Sequence, residues 1–308
     1  MSQLNSVDTA LLEIIAGMKN GKAPGAYNIR KDSGCADRVN SENVTITTKT
    51  DKPGIDITFV PGCKDSCHIP VIITESGLRE TVYNDFFIGE GADATIIAGC
   101  GIHNCGEDAS EHDGVHTFHI GKNARVHYIE KHYGEGDGSG ERVMNPATVC
   151  YLEEGAVLQM DTSQIGGVDR TTRDTRCTLG EDTRLVIRER LLTEKDQTAR
   201  TLFTVTMQGD NSAADVVSRS VARDTSRQEY ESTIIGEAKC TGHTECDAII
   251  SDKAQVDASP RLFARNEDAA LIHEAAIGKI AGEQILKLRT LGLTREEAEA
   301  RIVEGFLS

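Results

Sequence analysis

The chain has 308 residues, 38 % hydrophobic and 27 % charged, enough to fold as one large domain or two modest ones. Its formal charge of −16 argues against nucleic acid, which is bound through clustered Lys and Arg, and against an anionic membrane surface. No apolar run approaches the ~20 residues that span a bilayer, and "MSQLNSVDTALLEIIAGMKNGK" lacks the basic and apolar regions of an export signal, so a cytoplasmic location is expected.

In chain order, the first element is a helix over 7–20, where Leu11, Leu12, Ile15 and Met18 share a face and Gly21 is the stop signal. A repeat follows: an apolar residue, a Gly/Asn/Asp/Glu turn, a small residue, then an alternating strand. It occurs from Ile88, Ile120, Leu152, Leu179, Met207 and Ile235, at spacings of 32, 32, 27, 28 and 28 residues. A near-constant period of strand-length segments marks a solenoid, each coil supplying about two strands. The absence of Trp, an aromatic content of 4 % and 29 Gly suit stacked β-structure better than a core of large rings. A β-sandwich is the alternative, since it also turns every 8–12 residues. "HYGEGDGSGERVMN" (132–145) reads as a flexible acidic surface turn; it has no GK[ST], so any ATP hydrolysis must come from a partner. Near the C-terminus a helix closes at Gly292. Thr294 and Glu297 then form a capping-box pattern opening a second helix, with Ala298, Ile302, Val303 and Phe306 on one face. The expected organisation is a helical segment (1–39), a mainly β solenoid core (40–272) and a helical hairpin (273–308).

Nine cysteines in a chain without an export signal point to reduced thiols or metal ligands rather than disulfides. Three clusters have metal-compatible spacing: Cys63/Cys67/His68, Cys100/His103/Cys105 and Cys240/His243/Cys246. None has zinc-ribbon or ferredoxin spacing. Cys240 and Cys246 are an even number apart and share a strand face, whereas His243 opposes them unless Gly242 bulges. His112 and His116 share a face that His119 opposes; most of these, with His127 and His132, are assigned to solvent or ladder packing. In "AALIHEAAIGKIAGEQ", His273 and Glu274 stand where a strand-like run gives way to a helix; Ile277 excludes H-E-x-x-H. Adjacent strand residues face opposite ways, so only a corner would let both reach one metal, for which iron suits the donor set.

The segment "ECDAIISDKAQVDASPRLFARNEDAALIHEAAIGKIAGEQILKLRTLGLTREEAEARIVEGFL" resembles the core domain of the SufB/SufD proteins of SUF iron–sulfur cluster assembly. The resemblance runs from about residue 40 to the end and is most specific over 245–308. It implies a right-handed parallel β-helix with terminal helical segments, dimerisation through that core, and docking of a SufC-type ABC ATPase on residues 275–308. It further implies that Cys100, ending "ATIIAGC", accepts sulfur, and that Cys246, His273 and Glu274 lie at the interface where a transient cluster assembles. The family's SufB-type members carry another cysteine where this chain has Ala254, so Cys240 and the Cys100/Cys105 pair join Cys246 as candidate thiolate ligands. The expected molecule is a compact, homodimeric scaffold without catalysis of its own, taking sulfur from a donor and passing clusters to apo-protein recipients. Two alternatives remain open: a non-catalytic β-helix interaction module with structural or zinc-binding cysteines, and a β-helix enzyme acting on polysaccharide, which the lack of Trp disfavours.

Overall fold

A computed structural model describes residues 4–308. Helix α1 (Ser6–Ala16) leads into β1 (Ala26–Lys31), β2 (Gly34–Val39), β3 (Val44–Thr48) and β4 (Gly54–Phe59). Next come β5 (Lys64–Ile73), β6 (Arg79–Ile88), β7 (Asp93–His103), β8 (Ser110–Ile120), β9 (Arg125–Glu135), β10 (Arg142–Met144) and β11 (Ala147–Leu152). They are followed by β12 (Val157–Ile165), β13 (Arg170–Leu179), β14 (Arg184–Thr193), β15 (Thr198–Met207), β16 (Ser212–Ala222) and β17 (Arg227–Gly236). β18 (Cys240–Ile250), β19 (Gln255–Ala264), β20 (Ala270–Gly278), α2 (Gly282–Thr290) and α3 (Arg295–Phe306) complete the described chain.

From β4 onward the chain alternates between two sheets, and each strand pairs in parallel with the strands one coil before and after it. This is the β-solenoid anticipated from the repeat. Asp93 pairs with Arg125 and Arg125 with Val157, 32 residues apart each time, and Val157 pairs with Arg184 27 residues on. The sequence period is therefore the length of one coil. β10 and β11 occupy a single rung between β8 and β13, interrupted where Pro146 has no N–H to donate.

The recurring turn residues have a common cause. Gly91, Asn123, Gly155, Asp182 and Asn211 occupy equivalent positions with φ between 55° and 70°. Each donates its backbone N–H to the matching turn one coil further on, for example Asn123 to Glu154 at 2.9 Å and Asn211 to Lys239 at 2.7 Å. Gly, Asn and Asp are the residues that tolerate this left-handed conformation. Inside, alternate residues of both sheets meet as small and medium apolar side chains, with Phe86 stacked on Phe118 at 4.3 Å.

Helix α1 is shorter than the sequence pattern suggests. It stops at Gly17, whose φ of 63° lets its N–H bond back to Glu13 and Leu12; Met18 is buried beyond the helix, and Gly21 plays no part in the cap. Its apolar face lies on the outer side of β7, where Leu11 and Ile15 meet Gly99 and Gly101. The segment 1–39 is also not wholly helical, since β1 joins the solenoid beside β5. The antiparallel pairs β1–β2 and β3–β4 stand at this end of the stack.

The other end is different. β19 and β20 are the outermost strands of their sheets and are largely exposed, including Leu262, Phe263, Ile272 and Ile277. The helices do not cover this last rung. Ala298 and Val303 of α3 are buried, and Val303 and Leu307 pack with Val221, beside Leu192 and Ile249 at the strand ends. Thr294 and Glu297 form the expected capping box. α2 buries no side chain, and Leu291 beyond it is 73 % exposed. Among the described residues no helix is long and apolar enough to cross a membrane.

A Cβ at Gly99 would press on the carbonyl oxygens of Lys131 and Ile15. Gly99→Ala is therefore expected to destabilise the chain by about 1–3 kcal/mol, the usual cost of overpacking. Urea denaturation followed by circular dichroism measures this, and a neutral result would mean α1 is not seated there.

Candidate functional site

The solenoid interior is not uniformly apolar. At the end built by β1 to β6, a cavity of about 540 Å³ is lined by Arg30, Cys35, Arg38, Lys49, Lys52 and Glu80, among others. Arg30 bonds Glu80 at 2.7 Å and His112 Nδ1 meets the same carboxylate at 3.0 Å. Burial alone would raise the Glu80 carboxyl, but His112 and Arg30 outweigh it and hold it down at about 2.

A second polar chain runs deeper. Asn84 donates to His116 Nε2 at 3.2 Å, His116 Nδ1 meets the Tyr128 hydroxyl at 2.9 Å, and Tyr128 donates to Glu130 at 2.8 Å. Because Nε2 accepts from the amide, the His116 proton sits on Nδ1 and the ring is neutral. Burial pushes the His116 pKa down to about 4 despite Glu130 nearby. Glu130 also receives Arg173 through a short ion pair, and His132 Nε2 lies 3.5 Å away. Burial opposes ionisation of Glu130, but Arg173 and His132 hold its carboxyl well below the carboxylate range. On the far side Arg173 Nε is 3.6 Å from Glu189, which accepts from Thr201 at 3.0 Å and Ser218 at 2.7 Å. Here burial prevails over Arg173 and leaves the Glu189 pKa raised. His112, His116 and His132 are thus interior network members, not the solvent or ladder residues expected; only His119 and His127 face outward.

Cys100 lies beside the first part of this chain. It is 2 % exposed and points into the solenoid, bordered by Val71, Ile102 and Met144. α1 seals the strand's other face, and a cavity of about 10 Å³ shared with His112, His116, Glu130 and His132 has room for about one water. Burial, then the charges of Glu80 and Glu130, push its thiol pKa well up.

The last two coils sort the remaining candidates. β18 runs without a bulge, so Cys240, Thr244 and Cys246 face inward while His243 and Glu245 face outward. β20 matches it: Thr244 pairs with His273, Glu245 with Glu274, and Cys246 with Ala275. Hence His273 joins Cys246 on the inner face as a diagonal neighbour, roughly 6–8 Å between Cβ atoms. Glu274 stands on the opposite face. The strand-to-helix corner lies after Gly278, too late to bring His273 and Glu274 together. Both ring nitrogens of His273 are shielded from solvent and make no well-aligned hydrogen bond, with the Thr244 backbone alone beside the ring. The Cys246 thiol is pushed up to about 12 by burial and then by Glu189 and Asp247. A metal would deprotonate it on binding.

Glu274 has other company. His243, Glu245 and Glu274 each offer a donor atom within 4.8 Å of the other two. His243 Nδ1 is held by Asp215 at 2.8 Å, leaving Nε2 directed toward Glu274 at 3.8 Å. Carboxylate–imidazole–metal is the common outer-shell arrangement of metal sites, and one imidazole with two carboxylates suits borderline or hard divalent ions.

The other sulfur candidates are elsewhere. Cys240 is six residues up the strand from Cys246, roughly 20 Å at strand rise, and cannot share its ligand set. Cys105 follows β7, five rungs from β18 and about 24 Å away at strand spacing. Its Sγ lies 3.0 Å from His103 Nε2, and His103 Nδ1 lies 3.1 Å from Glu135. Cys63 and Cys67 are core thiols, and His68 turns to the other side of β5. Ala254 sits in the turn before β19. Glu130, Arg173 and Glu189, absent from the sequence reading, carried a signal: charged residues at inward parity, as in Tyr128-Glu130-His132.

Two outcomes follow. Arg173→Met leaves two buried carboxylates without their counter-charge and should cost about 3–5 kcal/mol, with the Glu130→Gln/Arg173→Met double variant costing less than the two single changes together. Urea titration reads both. His116 has its pKa lowered on folding, from 6.5 to about 4. Its contribution is complete above pH 6.5 and is lost as pH falls through that value toward 4, about 3 kcal/mol in all. Wild type should therefore lose more stability than His116→Gln between pH 7 and 4; equal slopes would show that His116 is not held neutral.

Residues 76–306 match the family described as "SUF system FeS cluster assembly, SufBD core domain". An iron–sulfur cluster assembly SufBD family protein of Methanothermobacter thermautotrophicus (strain Delta H) is 30 % identical over 284 residues, covering 88 % of this chain and 67 % of its own. One from Archaeoglobus fulgidus is 30 % identical over 262 residues, with 83 % and 69 % covered. Another from Methanocaldococcus jannaschii is 25 % identical over 318 residues, spanning 98 % of this chain and 99 % of its own. With a family match over most of the solenoid and both C-terminal helices, the chain belongs to the SufB/SufD family of iron–sulfur cluster assembly proteins.

Proposed function

We propose that the chain is a cytoplasmic scaffold subunit that accepts sulfur and iron and builds a transient cluster at the interface of a homodimer. The observation that carries this is the last coil: a buried Cys246 thiol and the His273 imidazole, whose shielded nitrogens make no well-aligned hydrogen bond, on one inner face beside an open sheet edge. Unpartnered buried polar atoms are costly unless something binds them. The exposed edge strands β19 and β20, with Ile272 58 % exposed, are an edge that a second copy would cover.

In this reading Cys246 supplies a soft thiolate and His273 a nitrogen donor to the cargo cluster. Few and mixed ligands from one chain leave the cluster releasable, as a scaffold requires. Iron arrives at the outer set His243, Glu245 and Glu274, separated from the inner pair by the thickness of the sheet. Cys100 serves as an interior sulfur station, with His116, His132 and Glu130 beside it available to hold or move a proton. A SufC-type ABC ATPase docks on α2 and α3, where Leu286 and Leu291 are exposed, and its motion reaches the last coil through β20.

The test is anaerobic co-purification with a SufC-type ATPase, reading mass, iron and acid-labile sulfide on one sample. A dimer with iron and sulfide in a ratio of about one is expected. Cys246→Ala and His273→Ala should each lower both by tenfold or more without changing circular dichroism. Zinc at fixed stoichiometry without sulfide would sink the reading.

A further inference from the structure

Two cysteines are exposed, Cys35 and Cys105. Cys35, in the cavity lined by Arg30, Arg38, Lys49 and Lys52, donates to the neutral Asn28 side-chain oxygen at 3.4 Å and has no histidine in that lining. Cys105 has a base. Its Sγ is 3.0 Å from His103 Nε2, and Glu135 Oε1 lies 3.1 Å from the other ring nitrogen. An ionised carboxylate can only accept, so His103 carries its proton on Nδ1 and presents a lone pair at Nε2 to the thiol. Nucleophile, base and orienting carboxylate thus stand in line, the geometry that activates cysteine nucleophiles.

The loop holding Cys105 is fixed from several sides. Asn104 N donates to Glu135 O at 2.9 Å, the Asn104 amide donates to Asp108 O at 2.8 Å and Gly140 O at 3.2 Å, and Gly106 N donates to Asn104 Oδ1 at 3.0 Å. The glycine-rich stretch after β9 is not the free turn expected from its composition. It packs on this loop, and a Cβ at Gly136 or Gly138 would collide with the carbonyl oxygens of Asn104 or Gly106. Asp137, carried by that stretch, also lies beside the Cys105 thiol.

We propose that Cys105 is the surface thiol that takes sulfane sulfur from a persulfide donor, with His103 as its base and Glu135 as the group that orients His103. This rests on the iron–sulfur reading above. The step balances without an outside oxidant. His103 Nε2 takes the thiol proton, and the Cys105 thiolate attacks the outer sulfur of the donor R–S–SH. A new S–S bond forms on Cys105 as the donor's S–S bond breaks, and R–S⁻ leaves and recovers the proton from His103. Cys100, sealed between α1 and the interior, offers no such approach to a donor.

The experiment uses the full chain, glutathione persulfide as donor, alkylation of the products and peptide mass spectrometry. One added sulfur atom is expected on the Cys105 peptide. Cys105→Ser should lower total loading tenfold or more, while Cys35→Ser leaves it unchanged. His103→Asn should slow loading by about 100-fold, the usual worth of a general base. Glu135→Gln, which keeps an acceptor for Nδ1–H, should slow it less. Normal loading of Cys105→Ser with the sulfur on Cys100 overturns the proposal, as does one zinc per chain that Cys105→Ser abolishes. Normal loading on Cys105 in a protein that never holds iron and sulfide would sink the scaffold reading instead and leave this site standing.

Discussion

Parallel stacking in register decides the chemistry of this molecule. Strands about 4.8 Å apart repeat the same inside and outside faces, coil after coil. A residue's parity along its strand therefore determines whether it meets the interior or the surface, and its coil number determines how far it stands from every other candidate. Thr244 opposite His273 and Glu245 opposite Glu274 are direct consequences: one pair faces inward, the other outward. The adjacent His and Glu consequently stand on two sides of one sheet.

The same stacking makes a long interior in which polar groups can be lined up. Glu80 and His112 near the first coils, then His116, Tyr128, Glu130, Arg173 and Glu189, form successive hydrogen-bonded or ion-paired stations. A purely structural core would be more economical filled with aliphatic residues, since buried ion pairs rarely surpass well-packed hydrophobic substitutes in stability. Cys100 flanks the start of this series, and Cys246 lies close enough to Glu189 for that carboxylate to raise its pKa. The two ends of the stack are unlike: antiparallel ribbons stand at the first, while the last presents bare β19 and β20 edges.

Much of the architecture was legible in the sequence because it depends on local rules. Turns that need left-handed backbone attract Gly, Asn and Asp, so Gly91, Asn123, Gly155, Asp182 and Asn211 announced the coil period. The capping box at Thr294 and Glu297 was equally local. The end of α1 was misplaced because two glycines, Gly17 and Gly21, both have φ near 65°, and only the first bonds back to the helix carbonyls. Most histidines of β8 and β9 are assigned from sequence to solvent or ladder packing because parity sorts them into two faces without saying which face is buried. His112 and His116 went inside, where Glu80 and Asn84 of the neighbouring β6 and Tyr128 of the facing sheet meet them.

From the sequence alone came the coil length, the inward or outward alternation within each strand, the two C-terminal helices and, through its C-terminal motifs, the family. The tertiary structure decided which thiols can act together. It parted Cys240 and Cys105 from Cys246, split His273 from Glu274, gave Glu274 the company of His243 and Glu245, and set Cys105 against His103 and Glu135. The reason is that period and parity are properties of a single strand, whereas a site needs side chains from different coils, and only the register between coils brings them within bonding distance.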